Sequence, residues 1–445
     1  MSYGIGVVDV GSSSCRFGLA GDDQPQANLR GAVGVKSEDC GKKKEFEKSS
    51  RSSTASLGSS RNTRGNFAFD EELFDFEEGM IVQPVCEEGV VKDWHLYEQL
   101  WYYAIESRLG MSLRDTSVLV AESPYTPQHD RKKLCELLFE AFQVPSMFMA
   151  KDVVLSCYAC GRTTGLIVDC GASGTTIAPV IDGWVESRGL NRSPLGGRYL
   201  DAYAAHMLRN TVYKGSDLVT SFRLKSQTAN GAKLAQVTPS YDAYMNLDLA
   251  RHFRERVSIT SESSLPDIGK EGKGSITTLA HELPDGTSLE LGLERYQLSE
   301  TLFSPASAAP FDADRDSAAL GMKTLNDNSA LLQLGLPHLA CEAVSRCDGE
   351  AQALLLHNVV LAGGVAETAG MPERLRAEIE HTLLAGNSRN ASAEVRQFSP
   401  QPGGRALATW LGGSILGSLG SWRDMCVSKA EYDEHGSSIL EKKCP

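Results

Sequence analysis

Asp9 closes an apolar run in the stretch GIGVVDVGSSSCRFGLA, and small residues follow it before apolar alternation resumes. A turn made of Gly11, Ser12, Ser13 and Ser14 lets backbone N–H groups converge without large side chains in the way. The hydroxyls add donors, and such a nest takes phosphate oxygens. Arg16, on the returning strand, supplies a cation for the same phosphates. An acid at the end of the strand suits a magnesium ion, which keeps several of its own waters and takes few direct protein ligands.

The same design returns roughly 160 residues later in GLIVDCGASGTTIAPV. There Asp169 ends the strand, and Gly171, Ala172, Ser173, Gly174 and Thr175 make the turn and the start of the return. One strand–turn–strand of this composition is ordinary structure. Two copies at that distance point to two related lobes whose hairpins clamp a triphosphate, with Asp9 and Asp169 holding the metal through waters. A third glycine signal, NVVLAGGVAET, ends an apolar strand in Gly363 and Gly364. Neither GxxxxGK[ST] nor GxGxxG occurs, so P-loop and dinucleotide-binding readings fail.

Elements that alternate between strand and helix must position these turns. TSVLVAES (116–123) and VPSMFMA read as buried strands, and DRKKLCELLFEAF (130–142) as a helix with Asp130 as N-cap. Trp94, Tyr97, Leu100, Trp101, Ala104 and Ile105 recur at helical spacing and predict an amphipathic helix with an aromatic core face. HELPDGTSLELGLERY (281–296) reads as a hairpin turning at Pro284, Asp285 and Gly286. Residues 258–280 and 304–330 read as loop-like. The pattern is α/β with mixed sheets.

The chain has 445 residues, enough for two or three lobes, with 41% hydrophobic and 23% charged residues. No apolar run is long enough to span a bilayer, and no secretory signal opens the sequence, so an intracellular protein with no membrane association is expected. Eleven cysteines without a framework fit a reducing compartment. The CxxC of Cys157 and Cys160 lacks a second ligand pair and reads as a buried helix end. A net charge of −13 argues against general or sequence-specific nucleic-acid binding. Residues 36–66 run the other way, with eight Lys or Arg against four Asp or Glu and eight serines. That segment reads as a disordered insertion, with an import signal, histone contact or DNA contact as its candidate roles.

The two Asp-x-Gly hairpins, GRTTG before the second, the late Gly-Gly turn and WLGGSILGSLGSW together resemble the actin superfamily. The resemblance covers about 1–35, 79–200, 281–303 and 354–445, and is weak over 205–280. It implies an actin-like fold: two lobes, each a mixed sheet flanked by helices, with a nucleotide cleft between them. Residues 1–178 and 405–445 would form the first lobe and 179–404 the second. The closing Lys-Cys-Pro, TPSYDAYM and GASGTT are similar to the fourth class of nuclear actin-related proteins, known in animals as the BAF actin-like subunit. That class serves chromatin-remodelling and histone acetyltransferase complexes.

The resemblance implies ATP and Mg2+ as ligands. It also marks departures. Asp152 stands where actin has a glutamine that serves the attacking water, and Thr176 where it has a histidine. Ala172 replaces an aspartate near the metal, Val365 a threonine, Ala406 a lysine by the adenine, and Arg16 a lysine. Losing the water-orienting groups and one acid implies binding with little or no hydrolysis. No match to the actin filament loop lies in 36–66, which implies a monomer outside its complex. The implied partners are actin, a helical segment of a remodelling ATPase or acetyltransferase scaffold near Gly412, Gly413, Gly417 and Gly420, and histones. The implied location is the nucleus. The competing expectations are a filament-forming ATPase of the cytoskeleton, or a sugar kinase or chaperone ATPase of the same ancestral fold.

Overall fold

The computed structural model describes residues 4–36, 66–215, 218–228, 237–265, 276–308, 334–386, 393–400 and 404–444. Apart from its two end residues, the Ser/Lys segment 36–66 lies outside the described residues, as does most of 304–330.

The chain divides into two compact units. Unit 1 comprises Met1–Ala150, Phe222–Tyr244 and Gly417–Pro445, and unit 2 comprises Lys151–Ser221 and Met245–Leu416. These bounds differ from the expected ones, for three physical reasons. The second hairpin bonds into the sheet that carries residues 359–398, so it belongs to unit 2. Gly412 comes so close to the Leu155 carbonyl that a Cβ there would overlap it, which holds the helix Ala408–Gly417 on unit 2. Residues 222–244 join unit 1 because Phe76 packs on Phe222 and Tyr241, and the Val82 amide donates to Ser240 Oγ at 3.2 Å.

Unit 1 is built on a six-stranded sheet. Its strands include β1 (Gly6–Val10), β2 (Ser14–Leu19), β3 (Ala27–Arg30), β4 (Val118–Glu122) and β5 (Ser146–Lys151). The spatial order is Val427–Ser428, β5, β4, β1, β2, β3. β1 pairs antiparallel with β2 and parallel with β4, so the mixed sheet expected from the pattern is present. A three-stranded sheet with Ala32–Val35 in its middle flanks it.

The aromatic helix α1 (Trp94–Trp101) forms as its spacing predicts, and Asp93 caps it by accepting from the His95 and Leu96 amides. It continues in wider π geometry over Tyr102–Arg108. Tyr97, Leu100, Trp101, Ala104 and Ile105 are buried, and the Trp101 ring stacks on Phe142. Full burial of each such side chain is worth about 1.5–3 kcal/mol. Helix α2 (Gln128–Glu136) starts two residues earlier than expected. Pro127 is its N-cap, so Asp130 lies buried inside the first turn and is not the cap.

Unit 2 carries the second mixed sheet, in the order Trp184–Val185, β7, β6, β8, Gln397–Phe398. Here β6 is Gly165–Cys170, β7 is Thr175–Ile181 and β8 is Val359–Ala362. Leu166, Val168, Cys170, Ile177 and Leu361 pack into one core, and Ile167, Ala178, Val180 and Val360 into another. Both faces of the sheet are therefore covered, which is why these strands read as continuous apolar runs. Helix α3 (Asp152–Ala159) covers one face and helix α4 (Gly197–Thr211) begins beside the second turn. The hairpin at 281–296 is observed as Leu279–Glu282 paired with Ser288–Leu291, but its last residues form the helix Glu294–Glu300. No described helix is long and apolar enough to cross a membrane.

Candidate functional site

The two glycine turns are closed in the same way. In unit 1 the Gly11 amide donates to the Ser14 carbonyl at 3.0 Å, and in unit 2 the Gly171 amide donates to the Gly174 carbonyl at 3.0 Å. Those two glycines thus hold the turns shut, which leaves the amides of Ser12, Ser13, Ala172 and Ser173 as the candidate phosphate donors.

Each turn is also buttressed by a glycine outside it that the motif reading missed. The Gly31 amide donates to the Ser13 carbonyl at 2.8 Å, and a Cβ on Gly31 would lie 2.8 Å from the Ser12 carbonyl oxygen. Gly196 sits so close that a Cβ would lie 2.6 Å from both the Gly174 Cα and nitrogen. The first amides of α4 reach the same turn, Gly197 N donating to the Gly171 carbonyl and Arg198 N to the Ala172 carbonyl. A glycine pair in PLGGRYLD, directly ahead of a helical pattern, was the available signal.

In unit 1 the antiparallel register places Arg16 directly across from Asp9. Arg16 Nη1 donates to Asp9 Oδ2 at 2.7 Å, and both side chains are largely buried. Arg16 Nε is buried with no hydrogen-bond partner. An orphaned buried donor is worth about 1–3 kcal/mol against the fold, so a ligand oxygen that reached it would be well received. The turn and this donor fit the phosphates of a nucleotide. The metal fits less well, because the acid expected to hold its waters is already engaged by a guanidinium.

In unit 2 Asp169 pairs across the sheet with Thr176. Gly363 comes up beside it. A Cβ there would lie 2.5 Å from Asp169 Oδ1 and would overlap the Cys170 carbonyl, and φ is +91°. Gly363 N donates to the Arg405 carbonyl at 2.9 Å, and Gly364 opens a short helical turn to Glu367. The expected residues Asp169, Gly171, Ala172, Ser173, Gly174, Gly363 and Gly364 therefore lie on one end of one sheet. Thr175 opens β7. It is fully buried and its hydroxyl donates to the Leu195 carbonyl at 2.6 Å, so that hydrogen anchors the strand.

Two departures have visible local consequences. Asp152 opens α3, and its Oδ1 accepts from the Val153 amide at 2.6 Å, so its carboxylate is used at the helix start. The amide of Ala406 donates to Glu367 Oε1 at 3.1 Å, and Arg405 lies 3.7 Å from the same carboxylate. Position 406 thus carries no cation, while the residue before it does, with its Nε buried and unpartnered.

The CxxC pair is poorly suited to thiolate chemistry. Burial pushes the Cys157 thiol up to about 12 and the Cys160 thiol up to about 11. Among the described residues, no group of three or more His, Cys, Asp or Glu side chains is arranged to hold a metal directly.

Comparison with known proteins supplies the rest. The family model described as Actin matches residues 4–445. The chain is 31% identical to actin-related protein 4 of Arabidopsis thaliana, over 99% of this chain and 98% of that protein. It is 30% identical to actin-related protein 4 of Oryza sativa subsp. indica, with the same coverage. It is also 26% identical to the SWI/SNF and RSC complexes subunit arp42 of Schizosaccharomyces pombe, over 98% of both chains.

Proposed function

The chain belongs to the actin family, and from that premise we propose that it is a nuclear actin-related scaffold subunit of a chromatin-remodelling complex. The observation that carries this reading is likeness along the whole length, without large gaps at either end, to relatives named actin-related protein 4 and to a named SWI/SNF and RSC subunit. Histone acetyltransferase complexes are the second proposed setting. Its proposed partners are actin and a helical segment of the complex's ATPase or acetyltransferase scaffold, with histones as further contacts of the assembly. Outside the complex the chain is a monomer.

ATP is the proposed ligand. The residues that hold it are Ser12, Ser13, Arg16 and the Gly11 turn of unit 1, and Ala172, Ser173, the Gly171–Gly174 turn, Gly363 and Gly364 of unit 2. When bound, the nucleotide supplies an oxygen acceptor for the unpartnered Nε of Arg16 and stabilises the fold by mass action. Hydrolysis is weak or absent in this reading. Thr176 offers a hydroxyl where an imidazole would serve a water, and the Asp152 carboxylate already accepts from an amide. Domain assignment follows the two compact units.

Two measurements test the proposal. Native purification followed by identification of the co-purifying chains should return actin and remodelling or acetyltransferase subunits. A homopolymer alone would defeat the scaffold reading. Phosphate release from the isolated chain with ATP and magnesium should stay near the rate of the buffer blank. Brisk turnover with pelleting would make it a filament-forming ATPase.

A further inference from the structure

The pairing of Asp9 with Arg16 bears on the metal. β1 and β2 place these residues directly opposite each other, so their side chains stand on the same face of the sheet. The resulting contact is short, 2.7 Å from Arg16 Nη1 to Asp9 Oδ2, and largely buried. The guanidinium is thus a cation built into the protein and held against the acid expected to carry the metal's waters. Its Nε remains buried without a partner. One edge of the group thus binds the acid, and another edge keeps a donor for an anion.

A hydrated magnesium ion beside Asp9 would face that fixed positive charge at close range. The donor set therefore suits a phosphate better than a divalent cation.

We infer that Arg16 does the work of the metal at the turn of unit 1, so that this chain binds ATP without requiring a divalent cation. The inference rests on the nucleotide reading above. Arg16 meets the phosphate oxygens through the Nε edge while Asp9 holds the other edge and fixes the plane of the guanidinium. Asp9 is then a positioning residue for Arg16 and not a holder of metal waters.

The test is ATP binding to the full chain, stripped of nucleotide, measured by calorimetry in excess magnesium chloride and again in excess EDTA. The expected dissociation constants agree within about threefold, because the cation that matters is covalently part of the protein. Arg16→Lys, which keeps the charge but loses the fork, should weaken binding in EDTA at least tenfold more than in magnesium. Asp9→Asn removes the competing carboxylate while keeping the size of the side chain. It loosens the hold on the Arg16 plane, so binding should weaken equally in EDTA and in magnesium, the two constants staying within about threefold of each other, whereas a holder of metal waters would show its loss in magnesium alone. Circular dichroism melts establish that both variants fold. A loss of tenfold or more for the unmodified chain on going from magnesium to EDTA overturns the inference and leaves the nucleotide reading standing. No binding in either buffer overturns the nucleotide reading, and the inference falls with it.

Discussion

Gly363 illustrates what a single position does in this protein. Its φ of +91° lies where residues with a Cβ are strained, and the space a Cβ would need is filled by the Cys170 carbonyl and Asp169 Oδ1. Gly363→Ala should therefore destabilise unit 2 by about 1–3 kcal/mol. It should also push β8 away from Asp169, so ATP affinity falls together with the melting temperature. Titration calorimetry and a thermal melt of the variant check both, and an alanine variant with unchanged stability would contradict the packing described. Position by position, the chemistry was only partly legible. Asp9, Asp169 and the Gly-Gly turn announced themselves by type and spacing. Gly31 did not, because a glycine that serves a distant turn carries no motif of its own, and Gly196 was signalled only by the glycine pair ahead of a helical pattern. For Thr175 the sequence gives the hydroxyl but not the Leu195 carbonyl that takes its hydrogen.

At the level of elements, the hairpins, the aromatic helix and the two buried strands were readable because each has a strong apolar period. The start of α2 was not, since Pro127 and Asp130 are both plausible caps and only the backbone geometry decides between them. Ion pairs between elements were invisible in the sequence for the same reason. Arg374, on the helix Met371–Ala385, is buried and bonds Glu300 Oε1 at 3.1 Å. It also donates to the carbonyls of Ser261 and Ser263, tying three segments of unit 2 together. Arg374→Met leaves Glu300 buried and unpaired, and should lower stability by about 3–5 kcal/mol. A matched Arg374→Met, Glu300→Leu double variant should recover a large share of that loss. Urea denaturation of the wild type and the two variants reads the difference, and a single variant no weaker than the double would refute this account.

For the molecule as a whole, the fold class followed from the alternation of elements, whereas the limits of the two units did not. The chain passes between the units several times, and a reading along the sequence assigns a segment to its neighbours in order. Contacts assign 222–244 to unit 1 through Phe76, Phe222 and Tyr241, which are far apart in the chain. ATP at a hundred times its dissociation constant should stabilise the whole protein by about 2.7 kcal/mol. Differential scanning calorimetry with and without ATP measures this, and coincident curves would eliminate nucleotide binding.

The edge of the unit 1 sheet has a further consequence. β5 completes its hydrogen bonding only with Val427–Ser428, roughly 280 residues later in the chain. A ribosome adds on the order of 5–20 residues per second, so the growing polypeptide carries that bare strand edge for tens of seconds. Vectorial synthesis therefore exposes this protein to mispairing until Val427 and Ser428 emerge, and its yield in cells should depend on factors that shield nascent β-edges.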